Sequence, residues 1–135
     1  MFLEFIAQQW MLVGGLVVAA LLLWQHESRK SGESLSPQQA ITLVNKEEGV
    51  FLDLRESAEF SKGHIANAVN IPASNLDGRI AELESYRAKP LVLVCKMGQS
   101  SGAVGKKLGE QGFERVYRMT GGMMEWGQLQ LPLVK

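Results

Sequence analysis

Cys95 is the only cysteine among 135 residues, and its setting gives it a chemical use. It follows Leu91-Val92-Leu93-Val94, an unbroken apolar run that reads as a strand, and opens the short stretch Cys95-Lys96-Met97-Gly98-Gln99 before a helical segment from about Ser100 to Glu110. A loop that wraps around a cysteine and feeds a helix aims several backbone N–H groups at the sulfur. The helix adds about half a positive charge at its N-terminus, and Lys96 acts in the same direction. All three favour the thiolate, the nucleophilic form, over the thiol. The same cradle would hold a bulkier anion built on that sulfur, and Gly98 permits the backbone angles that so tight a loop needs. A lone thiol is more often a buried small hydrophobe; its place between a strand end and a helix start is what sets Cys95 apart. It cannot form an internal disulfide, and no Cys/His spacing suggests zinc. A free thiol also suits a reducing compartment.

Other chemistries find little support. Ser100 and Ser101 read as helix caps more readily than as nucleophiles, because no histidine stands near them in sequence. His26 belongs beside a long apolar segment. No phosphate-binding loop or dinucleotide fingerprint occurs. Lys and Arg are balanced by Asp and Glu, 14 against 14, with no basic stripe, which argues against nucleic acid as a partner.

The elements that must place Cys95 alternate between short strands and helices. Ser36-Pro37-Gln38-Gln39 is a helix start: Ser36 caps, Pro37 takes the first helical position and Gln39 closes the capping box. Ala40, Ile41 and Val44 give that helix an inward face. Val50-Phe51-Leu52-Asp53-Leu54 reads as a strand covered on both sides. Ala68-Val69-Asn70-Ile71 is a second strand, closed by Pro72, and a weak helix spans Arg79 to Tyr86 with Ile80 and Leu83 inward. After the Cys95 loop, Ala103, Val104 and Leu108 give the next helix its apolar side, and Gly112 terminates it. Arg115-Val116-Tyr117-Arg118-Met119 is a further strand, and Gly121-Gly122 precedes a last helical turn ending near Trp126. This order indicates an α/β domain with a mainly parallel central sheet flanked by helices. In such sheets sites form at the carboxyl ends of the strands, where Cys95 stands.

At this point the chain resembles the rhodanese (sulfurtransferase) family over nearly all of residues 35–130. Asp53-Leu54-Arg55 is similar to the family's Asp-x-Arg, and Glu59-Phe60-Ser61-Lys62-Gly63-His64-Ile65-Ala66-Asn67-Ala68 to its Glu-Phe/Tyr-x-x-Gly-His-Ile-x-x-Ala segment, followed by Asn70-Ile71-Pro72. Cys95 through Gly98 resembles the active-site loop, and Gly121-Gly122-x-x-x-Trp126 the closing motif. The resemblance implies that the Cys95 thiolate takes sulfane sulfur from a donor such as thiosulfate or a persulfide. It then holds the sulfur as a persulfide and yields it to a thiophilic acceptor, a thiol in the cell. Lys96, Met97, Gly98, Gln99, Ser100 and Ser101 would form the substrate-binding loop. Asp53 and Arg55 would make an internal ion pair or hydrogen bonds at the sheet end in preference to a direct catalytic role, His64 would be a structural hydrogen-bonder in preference to a general base, and Trp126 would pack the last helix onto the core. Tyr117 and Arg118 would line the mouth of the site. No metal or organic cofactor is implied. One departure stands out: many active rhodaneses carry arginine where this chain has Ser100. Loss of a charge-assisted contact to an anion costs about 1.5–3 kcal/mol, which predicts weak use of thiosulfate. Without that arginine the loop also lacks what rhodanese-fold phosphatases need for phosphoryl oxygens.

The N-terminus is of a different composition. Residues 1–24 hold a single charge, Glu4, and from Phe5 to Trp24 the only polar side chains are Gln8 and Gln9. Twenty helical residues rise about 30 Å, the thickness of a bilayer hydrocarbon core. Trp10 and Trp24 suit the interfaces. A cleaved signal peptide would want a basic start and a small-residue cleavage site, whereas bulky Leu21-Leu22-Leu23-Trp24 ends this run. A buried core helix would rarely be apolar all round. The expected organisation is therefore a transmembrane helix over about 5–24, a polar linker over 25–34 and one domain over 35–135. Arg29 and Lys30 place the C-terminal side in the cytoplasm, at the cell's inner (plasma) membrane. Gly15 and Ala19 form a small-xxx-small pair through which two anchors can pack. Two functions fit this plan: a membrane-anchored sulfurtransferase or persulfide carrier, or a non-enzymatic module that recruits a protein partner at the membrane.

Overall fold

The computed structural model describes residues 2–30 and 32–135. It consists of two units, 1–30 and 31–135. The first is a single helix, α1 (Phe2–Lys30). Its stretch Leu3–Gln25, 23 residues, is long and apolar enough to cross a membrane. Leu12, Leu16, Val17, Leu21 and Leu23 are all exposed within the protein. The side chain of His26, assigned to the membrane boundary, lies outside the described residues, as do those of Arg29 and Lys30.

The second unit is a five-stranded sheet of β1 (Glu33–Leu35), β2 (Val50–Asp53), β3 (Val69–Asn70), β4 (Leu91–Val94) and β5 (Val116–Met119), in the order β1-β5-β4-β2-β3. Every pairing is parallel. The α/β expectation holds. The 25–34 stretch read as a linker differs from expectation, because α1 runs to Lys30 and β1 begins at Glu33. Three residues with one alternation give no sequence signal for a strand. β1 is made by its partner, with Glu33 opposite Tyr117 and Leu35 opposite Met119.

β4 shows why its sequence is uninterrupted leucine and valine. All four residues are buried, and successive side chains point to opposite faces. Leu91, Leu93 and Cys95 join Val50, Leu52, Leu54, Val104 and Leu108 in one core layer, whereas Val92 and Val94 join Ala40, Phe51, Met123 and Trp126 in the other. Helices α2 (Pro37–Glu47) and α6 (Gly122–Gln128) belong to the second layer, and α5 (Ser101–Glu110) to the first.

α2 begins as its sequence requires. The Ser36 Oγ accepts the Gln39 N–H, the Gln39 side chain accepts the Ser36 N–H, and Pro37 takes the first position. Two helical expectations need correction. Ala103 is exposed, because the inward stripe of α5 is Ser101, Val104, Gly105 and Leu108. The segment after β3 is an α-turn, α4 (Leu76–Arg79), followed by a 3₁₀ stretch over Ile80–Tyr86. Leu83 is fully buried there and Ile80 packs against the core. Their three-residue spacing matches the 3₁₀ repeat, which carries both inward.

Candidate active site

Cys95 leaves β4 at the carboxyl edge of the sheet, with the loop 95–100 leading into α5. It is a free thiol and is buried. Its Sγ accepts the Gly98 N–H at 2.8 Å. Gly98 has φ +88°, the left-handed conformation that glycine adopts without strain, and so turns its amide back onto the sulfur. Lys96, Met97, Gln99 and Ser100 are exposed around this centre, with Met97 47% exposed.

The two serines act differently from expectation. Ser100 occupies the cap position of α5 but makes no side-chain capping bond. Ser101 is buried, and its Oγ donates to the Gly98 carbonyl at 3.1 Å. That bond ties the first turn of α5 to the glycine that faces the sulfur.

Asp53 and Arg55 form the internal ion pair that the motif implied. The guanidinium meets the carboxylate with Nε at 2.9 Å from Oδ1 and Nη2 at 2.7 Å from Oδ2. Nη2 also donates to the Gly63 carbonyl at 2.9 Å. Asp53 is 1% exposed, and Asn70 closes the corner by donating to the carbonyls of Asp53 and Arg55. The clasp fastens the end of β2 to α3 (Ser57–Lys62) and β3. His64 stacks on Phe60 at 3.8 Å and shares a hydrogen bond between Nδ1 and the Phe60 carbonyl at 2.9 Å. Among the described residues none of these side chains bonds to Cys95. Trp126 packs edge-on against Phe51 at 5.9 Å and donates to the Pro132 carbonyl.

The two strand residues assigned to the mouth part company. Tyr117 faces the α2 layer, so it does not line the site. Arg118 is on the α5 side, where Nε donates to the Gly32 carbonyl at 3.1 Å. Its Nη1 lies 3.5 Å from the place where a Cβ on Gly102 would stand. No group of three or more His, Cys, Asp or Glu residues is arranged to hold a metal among the described residues.

The contacts that the sequence did not reveal are main-chain ones. The Met123 N–H donates to the Cys95 carbonyl at 2.8 Å and the Met124 N–H to the Lys96 carbonyl at 3.0 Å. The Gly121-Gly122 pair was the one available signal, since both glycines have positive φ.

Residues 36–129 match the Rhodanese-like domain family. The chain belongs to that family. It is 31% identical over 121 residues to the uncharacterized protein YibN of Escherichia coli K12, covering 89% of this chain and 85% of the relative. It is 35% identical over 92 residues to the thiosulfate sulfurtransferase GlpE of Pseudoalteromonas translucida, covering 68% and 86%. A crystal structure of a rhodanese-related protein from Thermoplasma volcanium superposes with TM-score 0.68 at 30% identity, covering 76% of this chain and 97% of the other. The polysulfide-sulfur transferase of Wolinella succinogenes, a homodimer in solution, gives TM-score 0.67 at 26% identity and covers 90% and 91%.

Proposed function

We propose that this rhodanese is a sulfurtransferase, or persulfide carrier, anchored in the inner (plasma) membrane by α1 with its domain in the cytoplasm. The observation that carries the reading is the Gly98 amide 2.8 Å from the Cys95 sulfur, in a loop that opens between a strand end and a helix start. An N–H donor placed there favours sulfur carrying negative charge. The Cys95 thiolate attacks the outer sulfur of thiosulfate, forming a new S–S bond. The old bond to the sulfonate sulfur breaks, and sulfite leaves with the electron pair. A persulfide donor reacts in the same way and leaves as its thiolate. An acceptor thiolate then attacks the outer sulfur of the Cys95 persulfide, and Cys95 departs as thiolate. Neither step requires a general base once Cys95 is ionised, in keeping with a site whose nearby polar side chains do structural work. Similarity to thiosulfate sulfurtransferases supports the reaction class.

The anchor rests on α1, whose leucines and valines are exposed on every side and need an apolar solvent to cover them. The bulky end of the run, Leu21 to Trp24, fits an uncleaved span better than a signal sequence.

The test is intact-mass spectrometry of the full-length protein in detergent after exposure to thiosulfate or to glutathione persulfide. A gain of one sulfur atom is expected, greater from the persulfide, absent in Cys95→Ser and discharged by cyanide. No gain from either donor in folded protein with a free thiol would transfer the weight to the non-enzymatic reading, a module binding a protein partner at the membrane.

A further inference from the structure

The loop that presents Cys95 is held from behind by an element 27 residues further on, and the contact is almost wholly backbone. α6 begins at Gly122, and its first N–H groups, which have no partner inside the helix, are taken by the loop: Met123 to the Cys95 carbonyl, Met124 to the Lys96 carbonyl. Among the described residues all peptide bonds are trans. In a planar trans peptide the C=O of one residue and the N–H of the next point to opposite sides. Fastening the Cys95 carbonyl to α6 therefore turns the Lys96 N–H away from α6, and fastening the Lys96 carbonyl does the same for the Met97 N–H. Among the described residues neither of those two N–H groups has a hydrogen-bond partner, and the Gly98 N–H that follows them already reaches the sulfur.

The approach has no room for a side chain. A Cβ on Gly122 would lie 2.1 Å from the Cys95 carbonyl oxygen and 2.9 Å from the Lys96 carbonyl carbon. One on Gly121 would lie 2.6 Å from the Glu125 Cβ, and one on Gly98 would stand 3.5 Å from the Gly121 nitrogen. We propose that the Gly121-Gly122 corner and the first turn of α6 are a positioning device for the sulfur cradle. They grip two loop carbonyls and thereby turn the Lys96 and Met97 N–H groups toward the anionic sulfur of Cys95 and its persulfide. Gly122 is the positioning residue that admits this contact. The proposal deepens the sulfur-carrier reading and rests on it for the persulfide alone, because the orientation of the amides bears on the thiolate in any case.

The test uses full-length protein in detergent with two readouts: the pH profile of Cys95 alkylation by iodoacetamide, and the lifetime of the persulfide formed with glutathione persulfide. Gly122→Ala pushes the loop forward. Met124→Pro removes one N–H at an exposed position in the first helical turn, where proline is tolerated; Met124→Ala, which lacks the same side chain but keeps the N–H, is its reference. Gly127→Ala, on the same helix with open space for a Cβ, controls for glycine replacement. Gly122→Ala relative to wild type, and Met124→Pro relative to Met124→Ala, are expected to move the alkylation profile up by about one pH unit. They should also shorten the persulfide lifetime about tenfold, the effect of losing one hydrogen bond to an anion. Circular dichroism and a cooperative thermal transition report that the fold is kept, and Gly127→Ala stays at the wild-type profile. A folded Met124→Pro whose profile and lifetime match those of Met124→Ala overturns the proposal, even where Gly122→Ala does not fold. So does a shift in Gly127→Ala as large as that in Gly122→Ala. If the wild type takes up no sulfur at all, the sulfur-carrier reading fails, and the alkylation profiles still decide whether α6 positions the loop.

Discussion

Ser100 stands where an arginine would add a cation to the donor cradle, and its hydroxyl does not cap α5. The donor on the sulfur is the Gly98 amide, with Lys96 and Met97 exposed around it. Amides hold a small sulfur anion well but give less to the dianionic thiosulfate than a guanidinium does. Ser100→Arg is therefore expected to bind thiosulfate about tenfold more tightly, the worth of one charge-assisted contact. Saturation kinetics of sulfite release against thiosulfate concentration would measure it. An unchanged half-saturation would mean that donor charge is not read at position 100.

Between elements, the Asp53–Arg55 clasp binds the end of β2 to the Gly63 carbonyl at the end of α3. Asp53 is buried and Arg55 partly so, their side chains 2% and 10% exposed. Removing one member of such a pair leaves a buried charge alone, which costs about 3–5 kcal/mol. Asp53→Ala should lose that much in urea unfolding, and the double change Asp53→Ala with Arg55→Met should recover part of it. A loss below about 1 kcal/mol would place the clasp at the solvated surface. The Asp-x-Arg spacing made this pair legible in the sequence, because strand end and turn bring the two side chains together locally. The Ser36–Gln39 capping box was legible for the same reason.

For the whole molecule, the two units divide the work: α1 supplies the apolar surface and residues 31–135 the fold. Deleting residues 2–24 is expected to move the protein from the membrane pellet to the soluble fraction with its Cys95 sulfur loading intact, measured by fractionation and intact mass. A truncated protein that still pellets with membranes, in folded form, would count against α1 as the sole anchor. The packing of the domain was partly legible. The unbroken run Leu91 to Val94 was legible as a strand, whereas the structure divided Leu91, Leu93 and Cys95 from Val92 and Val94 between the two core layers. The inward place of Ala103 was misread, since a small residue carries little information about which side of a helix it occupies.

By itself the sequence determined the apolar span, the strand that delivers Cys95, the glycine that bends the loop and the helix that follows. Each of these is encoded by side-chain type at short spacing. Only the tertiary structure decided that β1 closes the sheet against β5, that Tyr117 turns away from the site, and that α6 grips the loop from behind. Those contacts join distant segments mostly through main-chain N–H and C=O groups, which every residue but proline carries alike. They leave in the sequence no more than two glycines where a side chain would not fit.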